Sequence, residues 1–183
     1  AIVRIREVDV KKYYKLMLGR SSIYAEECHV GSFIGTDFLI HQDLTGGLPE
    51  RWQVFNEQFR PIWMVNNPGK TKVAAGLACG ALWTVSKGML EGDIVLCPNG
   101  QGAYLIGEIL GTYYYAEGET LPHRRTVRWM PQTLARDDMS TALRHSTGSI
   151  GTVSNVTRFS EELDSLLSGQ IQPALVATDE LVE

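Results

Sequence analysis

The sequence predicts an α+β fold: a small curved, barrel-like sheet with flanking helices. Three observations carry this. The middle of the chain holds two runs rich in β-forming residues, Asp93 to Pro98 and Ala103 to Leu110. Between them lies Asn99-Gly100, which reads as a hairpin connection because tight hairpin turns need positive φ. Before them, apolar residues recur at spacings of three and four, the mark of helices that bury one face. Strands clustered in the middle with helices ahead of them suit a sheet layered by helices.

Taken in order, residues 2–6 alternate as Ile, Val, Arg, Ile, Arg and read as a first strand. From Val8 to Leu18, the spacing of Val10, Tyr13, Tyr14, Met17 and Leu18 predicts a helix. Asp9 would cap it and Gly19 would end it. Ser21 to Cys28 is ambiguous. Val30 to Gly35 reads as a short buried strand, and Thr36 to Ile40 either extends it or turns away. Asp43 to Pro49 is a loop by its glycines and proline. Glu50 to Phe59 has helical spacing, with Pro61 stopping or kinking it. Asn66 to Gly69 is a turn. Lys72 to Val85 is a helix apolar on most faces, whose small residues allow close approach to a sheet. Gly92-Asp93 breaks the chain before the central strands. After the basic, aromatic strand His123 to Trp129, a polar loop runs from Pro131 to Arg144. Ser146 to Gly151 is flexible by composition. Val153 to Phe159 reads as a last strand. Ser160 to Leu167 reads as a short helix opened by a serine cap with Glu162 nearby. The domain therefore spans 1–167, and 168–183 reads as a linker leading out of it.

At 183 residues, 44% hydrophobic and 21% charged, the chain is sized and composed as one globular domain. No apolar run approaches the roughly 18 residues of a membrane span, and the first residues lack a secretory signal. Cys28, Cys79 and Cys97 have neither CxxC spacing nor a nearby histidine pair. They read as reduced thiols of a cytoplasmic protein, with no metal site expected. A net charge of −4 argues against a broad basic surface but leaves room for a local basic groove.

Familiar catalytic patterns are missing. Asn67 to Thr71 ends like a phosphate-binding loop, but Met64 stands where that loop needs its first glycine. There is no Gly-x-Ser-x-Gly elbow, and the four histidines form no recognised catalytic set. No acidic pair precedes a lysine as a nuclease hairpin requires. The chain is expected to bind rather than to catalyse, and no cofactor is implied. Aromatic and basic residues are the stronger signal. Any one tryptophan is by default core, but Trp83 ends the small-residue helix just before the sheet, and Trp129 follows three arginines. Rings beside basic side chains supply what an extruded base needs, a stacking face and phosphate contacts. Asp37, near Phe33, either accepts from a base's amino group or caps a turn. Arg124, Arg125 and Arg128 are candidates for gripping phosphate, or else charges that protect an edge strand. Alternation puts Arg124, Thr126 and Arg128 on one face, so at most two of the three arginines face one partner.

The ordered set Ala81-Leu-Trp83, Met89, Gly92-Asp93, Tyr104-Leu-Ile-Gly-Glu-Ile109 and His123-Arg-Arg-Thr-Val-Arg-Trp129 resembles the EVE/YTH-like branch of the PUA superfold. The closest resemblance is to the N-terminal sensor modules of Mrr-like and McrB-like modification-dependent restriction systems, over about residues 1–160. It implies a PUA/EVE-like curved barrel that binds double-stranded DNA and flips a modified, often methylated, base into an aromatic pocket. It also implies a C-terminal effector, a nuclease, beyond this chain. On this reading Trp83, Phe33, Asp37, Trp63 and Tyr104 form the base pocket, and Arg124, Arg125, Arg128 and His123 meet the nucleic-acid backbone. Thr36 stands where a tryptophan often follows the family's early glycine, which leaves Phe33, Phe38 or Trp63 to supply the wall. The alternatives are a protein-interaction or assembly module whose aromatics are all core, and a small-molecule enzyme.

Overall fold

In the computed structural model, which describes residues 10–149 and 151–168, one mixed sheet organises everything else. Its strands are β1 (Tyr13–Leu16), β2 (Phe33–Thr36), β3 (Ile94–Pro98), β4 (Ala103–Tyr115), β5 (His123–Trp129), β6 (Leu134–Ala135) and β7 (Val153–Asn155). The order is β2-β5-β4-β3-β1-β7, with β6 pairing to β4. Only β1 and β3 pair in parallel. The end strands β2 and β7 do not pair with each other, so the sheet is open rather than closed into a barrel.

The helices are α1 (Ala25–Gly31), α2 (Trp52–Asn66), α3 (Lys72–Trp83), α4 (Thr141–Thr147) and α5 (Ser160–Leu167). Among the described residues none is long and apolar enough to cross a membrane. Side-chain alternation explains how they pack. Tyr14, Leu16, Val95, Cys97 and Val127 point to the face covered by α1. Tyr13, Ile94, Leu96, Tyr104 and Ile106 point to the face covered by α4 and α5. A third core lies within the α2–α3 hairpin, where Phe55, Phe59, Trp63, Ala75, Cys79 and Leu82 meet Ile40 and Leu44.

The helix expected over Val8–Leu18 is instead strand β1, all four of whose residues are buried. An interior strand covered on both faces reads as a continuous apolar run, which periodicity does not separate from a helix. Lys15 is buried with them, its ammonium donating to the carbonyls of Ser149 and Gly151. Pro61 does not stop its helix: α2 runs through it to Asn66. Pro61 and Glu57, whose carbonyl loses its helical partner there, are both exposed, so water takes the bond. The Pro131–Arg144 loop contains β6 and the start of α4, both too short to show a period. The last strand stops at Asn155. Helix α5 has no side-chain cap; Glu162 instead accepts from the amide and hydroxyl of Ser140, the cap of α4. The predicted strand over 2–6, the Asp9 cap and, beyond Ser168, the linker lie outside the described residues.

Two irregularities shape the sheet's middle. Between Ile109 and Tyr113 the β4–β5 register shifts, so four residues of β4 span what two of β5 span. After α3 the chain makes a π-helical turn over Thr84–Gly88. Both features re-aim side chains and recur beside functional sites.

Helix α3 opens on Thr71, whose hydroxyl accepts from the Ala74 amide at 3.0 Å. Thr71→Ala should cost about 1 kcal/mol, read as a lower urea midpoint with unchanged slope.

Candidate functional site

At the end of the sheet where β1 and β2 finish, the backbone is unusually strained. Among the described residues, Ser21, Ser22, Ser32, Phe38, Leu39 and Leu121 are the non-glycine residues at positive φ. All but Ser32 lie at or next to one cavity of about 550 Å³, lined by Met17, Gly19, Arg20, Thr36, Asp37 and Leu121, among others. Each such residue costs on the order of 1–3 kcal/mol and persists only where surroundings hold it. Here they do. Ser22 N–H donates to Gly19 O at 3.1 Å, Leu39 N–H to Asp37 Oδ1 at 2.9 Å, and Arg124 Nε to Leu121 O at 3.0 Å. Gly35 allows the close approach, since a β-carbon there would stand 2.7 Å from Leu121 O.

The cavity offers polar groups with unused capacity. Thr36 is 3% exposed and its hydroxyl has no partner among the described residues. Asp37 spends one carboxylate oxygen on the Leu39 amide and on His41 Nε2, 2.8 Å away. Its Oδ2 accepts nothing among the described residues, and the residue is half-buried. The two readings of Asp37 are therefore compatible: one oxygen caps the turn and the other is free. Met17, Phe38 and Leu121 add apolar wall. Arg20 stands exposed at the rim, without an ion pair among the described residues. Nothing in its sequence surroundings marked Arg20; only the fold sets it beside Asp37.

The five side chains expected to share a base pocket do not meet. Asp37 alone lines this cavity. Phe33 is buried with the Arg124 guanidinium 3.8 Å above its ring. Trp63 is packed inside the α2–α3 hairpin. Tyr104 faces the opposite side of the sheet, where its hydroxyl donates to Thr147 and accepts from Arg136. Trp83 stands between two other clefts, its indole N–H donating to Pro49 O at 2.9 Å. Hydrophobicity drew the four aromatic rings inward to three cores: Trp63 and Trp83 to that of the α2–α3 hairpin, and Phe33 and Tyr104 to the two faces of the sheet.

The basic strand obeys the expected alternation. Arg124 and Arg128 lie on one face, with Arg128 exposed and paired to Glu108. Arg124 is turned back onto Thr120 O and Leu121 O, so it braces the cavity wall. Arg125 is buried, its guanidinium donating to Gly111 O, Val85 O and Met89 O. Burial lowers its pKa from the ordinary value. Trp129 lies against Gly107 and donates to Cys28 O, docking α1. His123, expected at the nucleic-acid backbone, is fully buried. Its Nε2 lies 2.5 Å from Ile40 O and its Nδ1 2.8 Å from Tyr113 Oη, which itself accepts from Leu44 N–H. A carbonyl accepts only, so Nε2 carries the proton and the tyrosine donates to Nδ1. This relay fastens the 40–44 loop to the sheet, while burial lowers the imidazole pKa from its ordinary 6.5 against the opposing pull of the Ile40 carbonyl. The three cysteines are free and buried, and burial lifts the Cys28 thiol to about 12 and Cys79 to about 11.

A family model described as Domain of unknown function (DUF8426) matches residues 14–159. No curated protein and no solved structure matches the chain.

Removing the unpartnered Thr36 hydroxyl relieves a buried polar group, so Thr36→Val should leave stability unchanged or raise it by about 1 kcal/mol in urea titration. His123 binds its proton less readily folded than unfolded. Its contribution is therefore complete above pH 6.5 and is lost as pH falls through the depressed folded value, by at most about 1.4 kcal/mol per pH unit. Urea midpoints at neutral and acidic pH should diverge in the wild type and converge in His123→Gln.

Proposed function

The chain belongs to the family of that description, and we propose that it is a nucleic-acid reader that takes a modified base of double-stranded DNA into the cavity beside Thr36 and Asp37. The observation that carries this is the pair of unspent polar groups, the Asp37 Oδ2 and the Thr36 hydroxyl, in a cavity held open by strained backbone. The free carboxylate oxygen suits an exocyclic amino group, which cytosine and adenine both carry. The orphaned hydroxyl suits a ring nitrogen or carbonyl. Met17, Phe38 and Leu121 give a methyl group apolar surroundings, worth about 0.8 kcal/mol per buried carbon. Flipping a base costs a few kcal/mol, which these contacts return. Arg20 at the rim is the backbone contact this arrangement favours, joined by Arg128 if its partner Glu108 yields.

The resemblance to EVE/YTH-like sensor modules supports the same reading. With it come a PUA-like architecture, a cytoplasmic setting, and a nuclease or other effector joined after the linker. In that assembly this domain does the recognising and the effector the cutting.

A second reading, a protein-interaction module, draws on the α2–α3 hairpin, which leaves Trp52, Val65, Val73 and Leu77 exposed. It predicts no affinity for any duplex even at low salt, where phosphate contacts are strongest.

Fluorescence polarisation with duplexes differing in one base (unmodified, methylcytosine, hydroxymethylcytosine, methyladenine) separates the readings. Asp37→Asn keeps an oxygen for the Leu39 amide but replaces the free acceptor with a donor. It should weaken binding of the preferred duplex about ten- to a hundred-fold, while Trp83→Ala should not. The opposite pattern would move the pocket to Trp83. Equal weak binding to every duplex would leave a phosphate-gripping domain that reads no base.

A further inference from the structure

Arg125 raises a question that base reading leaves unanswered. It is 3% exposed, and among the described residues no carboxylate lies within ion-pair distance of it. Three backbone carbonyls hold its Nε and Nη1, at 2.7 to 3.0 Å. Among the described residues its Nη2 has no acceptor. A buried cation with no carboxylate in contact is costly, and the carbonyl dipoles together with the more distant charges of Glu91 and Asp93 compensate it only in part. The residue lines a cleft of about 850 Å³, separate from the Asp37 cavity and sharing no residue with it.

Ser86 lines the same cleft, and its hydroxyl is buried with no partner. It sits in the π-helical turn, and Val85 O within that turn and Met89 O just after it grip Arg125. The other side of the guanidinium is held by Gly111 O, inside the β4 bulge. The two irregular backbone segments thus converge on one fixed arginine and one unspent hydroxyl.

The remaining charges set limits on the occupant. Asp93 is spent on the amides of Lys12 and Leu90, and Glu50 on Lys87 at 3.1 Å. Glu91 is exposed and has no ion pair among the described residues. These carboxylates disfavour a diffuse anion, so an acceptable anion is compact and reaches the arginine directly. Glu91 favours hydroxyl or amino groups on the rest of the ligand. The volume falls within the range of sites for small molecules.

From this geometry we infer that the cleft binds a small phosphorylated molecule of nucleotide size, its phosphate on Arg125 Nη2 and Ser86 Oγ and its hydroxyl or amino groups toward Glu91. The site is independent of the base-reading cavity and stands whether or not that reading holds.

The test is thermal denaturation and calorimetric titration of the full chain with inorganic phosphate, acetate and adenosine monophosphate, against chloride at matched ionic strength. Phosphate and the nucleotide should raise the melting temperature, the nucleotide binding more tightly. Arg125 substitutions also cut three backbone tethers, so Ser86→Ala is the decisive variant. It should melt as the wild type does without ligand, yet bind phosphate about fivefold more weakly or worse. Its affinity for a methylated duplex should be unchanged, which separates this site from the Asp37 cavity. No shift with phosphate or nucleotide, or equal phosphate binding by wild type and Ser86→Ala, overturns the site. Equal affinity for phosphate and nucleotide overturns the assigned ligand size.

Discussion

The middle of this fold depends on one buried guanidinium. Arg125 joins the turn after α3 to the bulged strand β4 through three carbonyl bonds. Without such a tie, the bulge at Gly111 and the π-helical turn at Thr84–Gly88 would leave carbonyls facing the interior without donors, at a cost of about 1–3 kcal/mol each. The arginine satisfies them at the cost of its own desolvation. Its lowered pKa expresses that balance, with Glu91 and Asp93 acting in the opposite sense.

A second constraint works at the sheet's end. Left-handed backbone at Ser21, Phe38 and Leu121 turns three chain segments away from one another, and the space between them is the cavity at Asp37. Neighbours fix each of these turns: the Gly19 carbonyl, the Asp37 carboxylate and the Arg124 side chain. The His123–Tyr113 relay holds the following loop at Ile40 and Leu44. Several residues that a sequence reading assigns to ligand contact therefore stand one step behind the cavity wall. Arg124 shapes the wall and His123 anchors the loop behind it.

The legible parts of the fold were those with local causes. The α3 helix, the β3–β4 hairpin around Asn99, the alternation of β5 and helix α5 follow from propensity, turn chemistry and period, and each lies close to where the sequence puts it. The failures have a common origin. Strand β1 looked helical because both its faces are covered. Helix α2 passed through Pro61 because the lost bond faces water. The sheet stays open because closure depends on which strands become neighbours, a long-range matter. Of the candidate site, Asp37 was readable. Thr36 was noticed only as a departure from a pattern, and Arg20 and Ser86 carried no local signal.

By itself the sequence determined which segments are apolar, which turns need glycine or asparagine, and that the basic strand shows alternate residues to opposite sides. Those are properties of neighbouring residues and of backbone sterics. The tertiary structure alone decided that Tyr104 and Phe33 belong to opposite faces of the sheet and Trp63 and Trp83 to the α2–α3 core, and that Arg125 is sealed against carbonyls from two distant segments. The physical reason is that burial is non-directional. It draws every large side chain inward with similar force, while the cavity each one meets depends on chain crossings tens of residues apart.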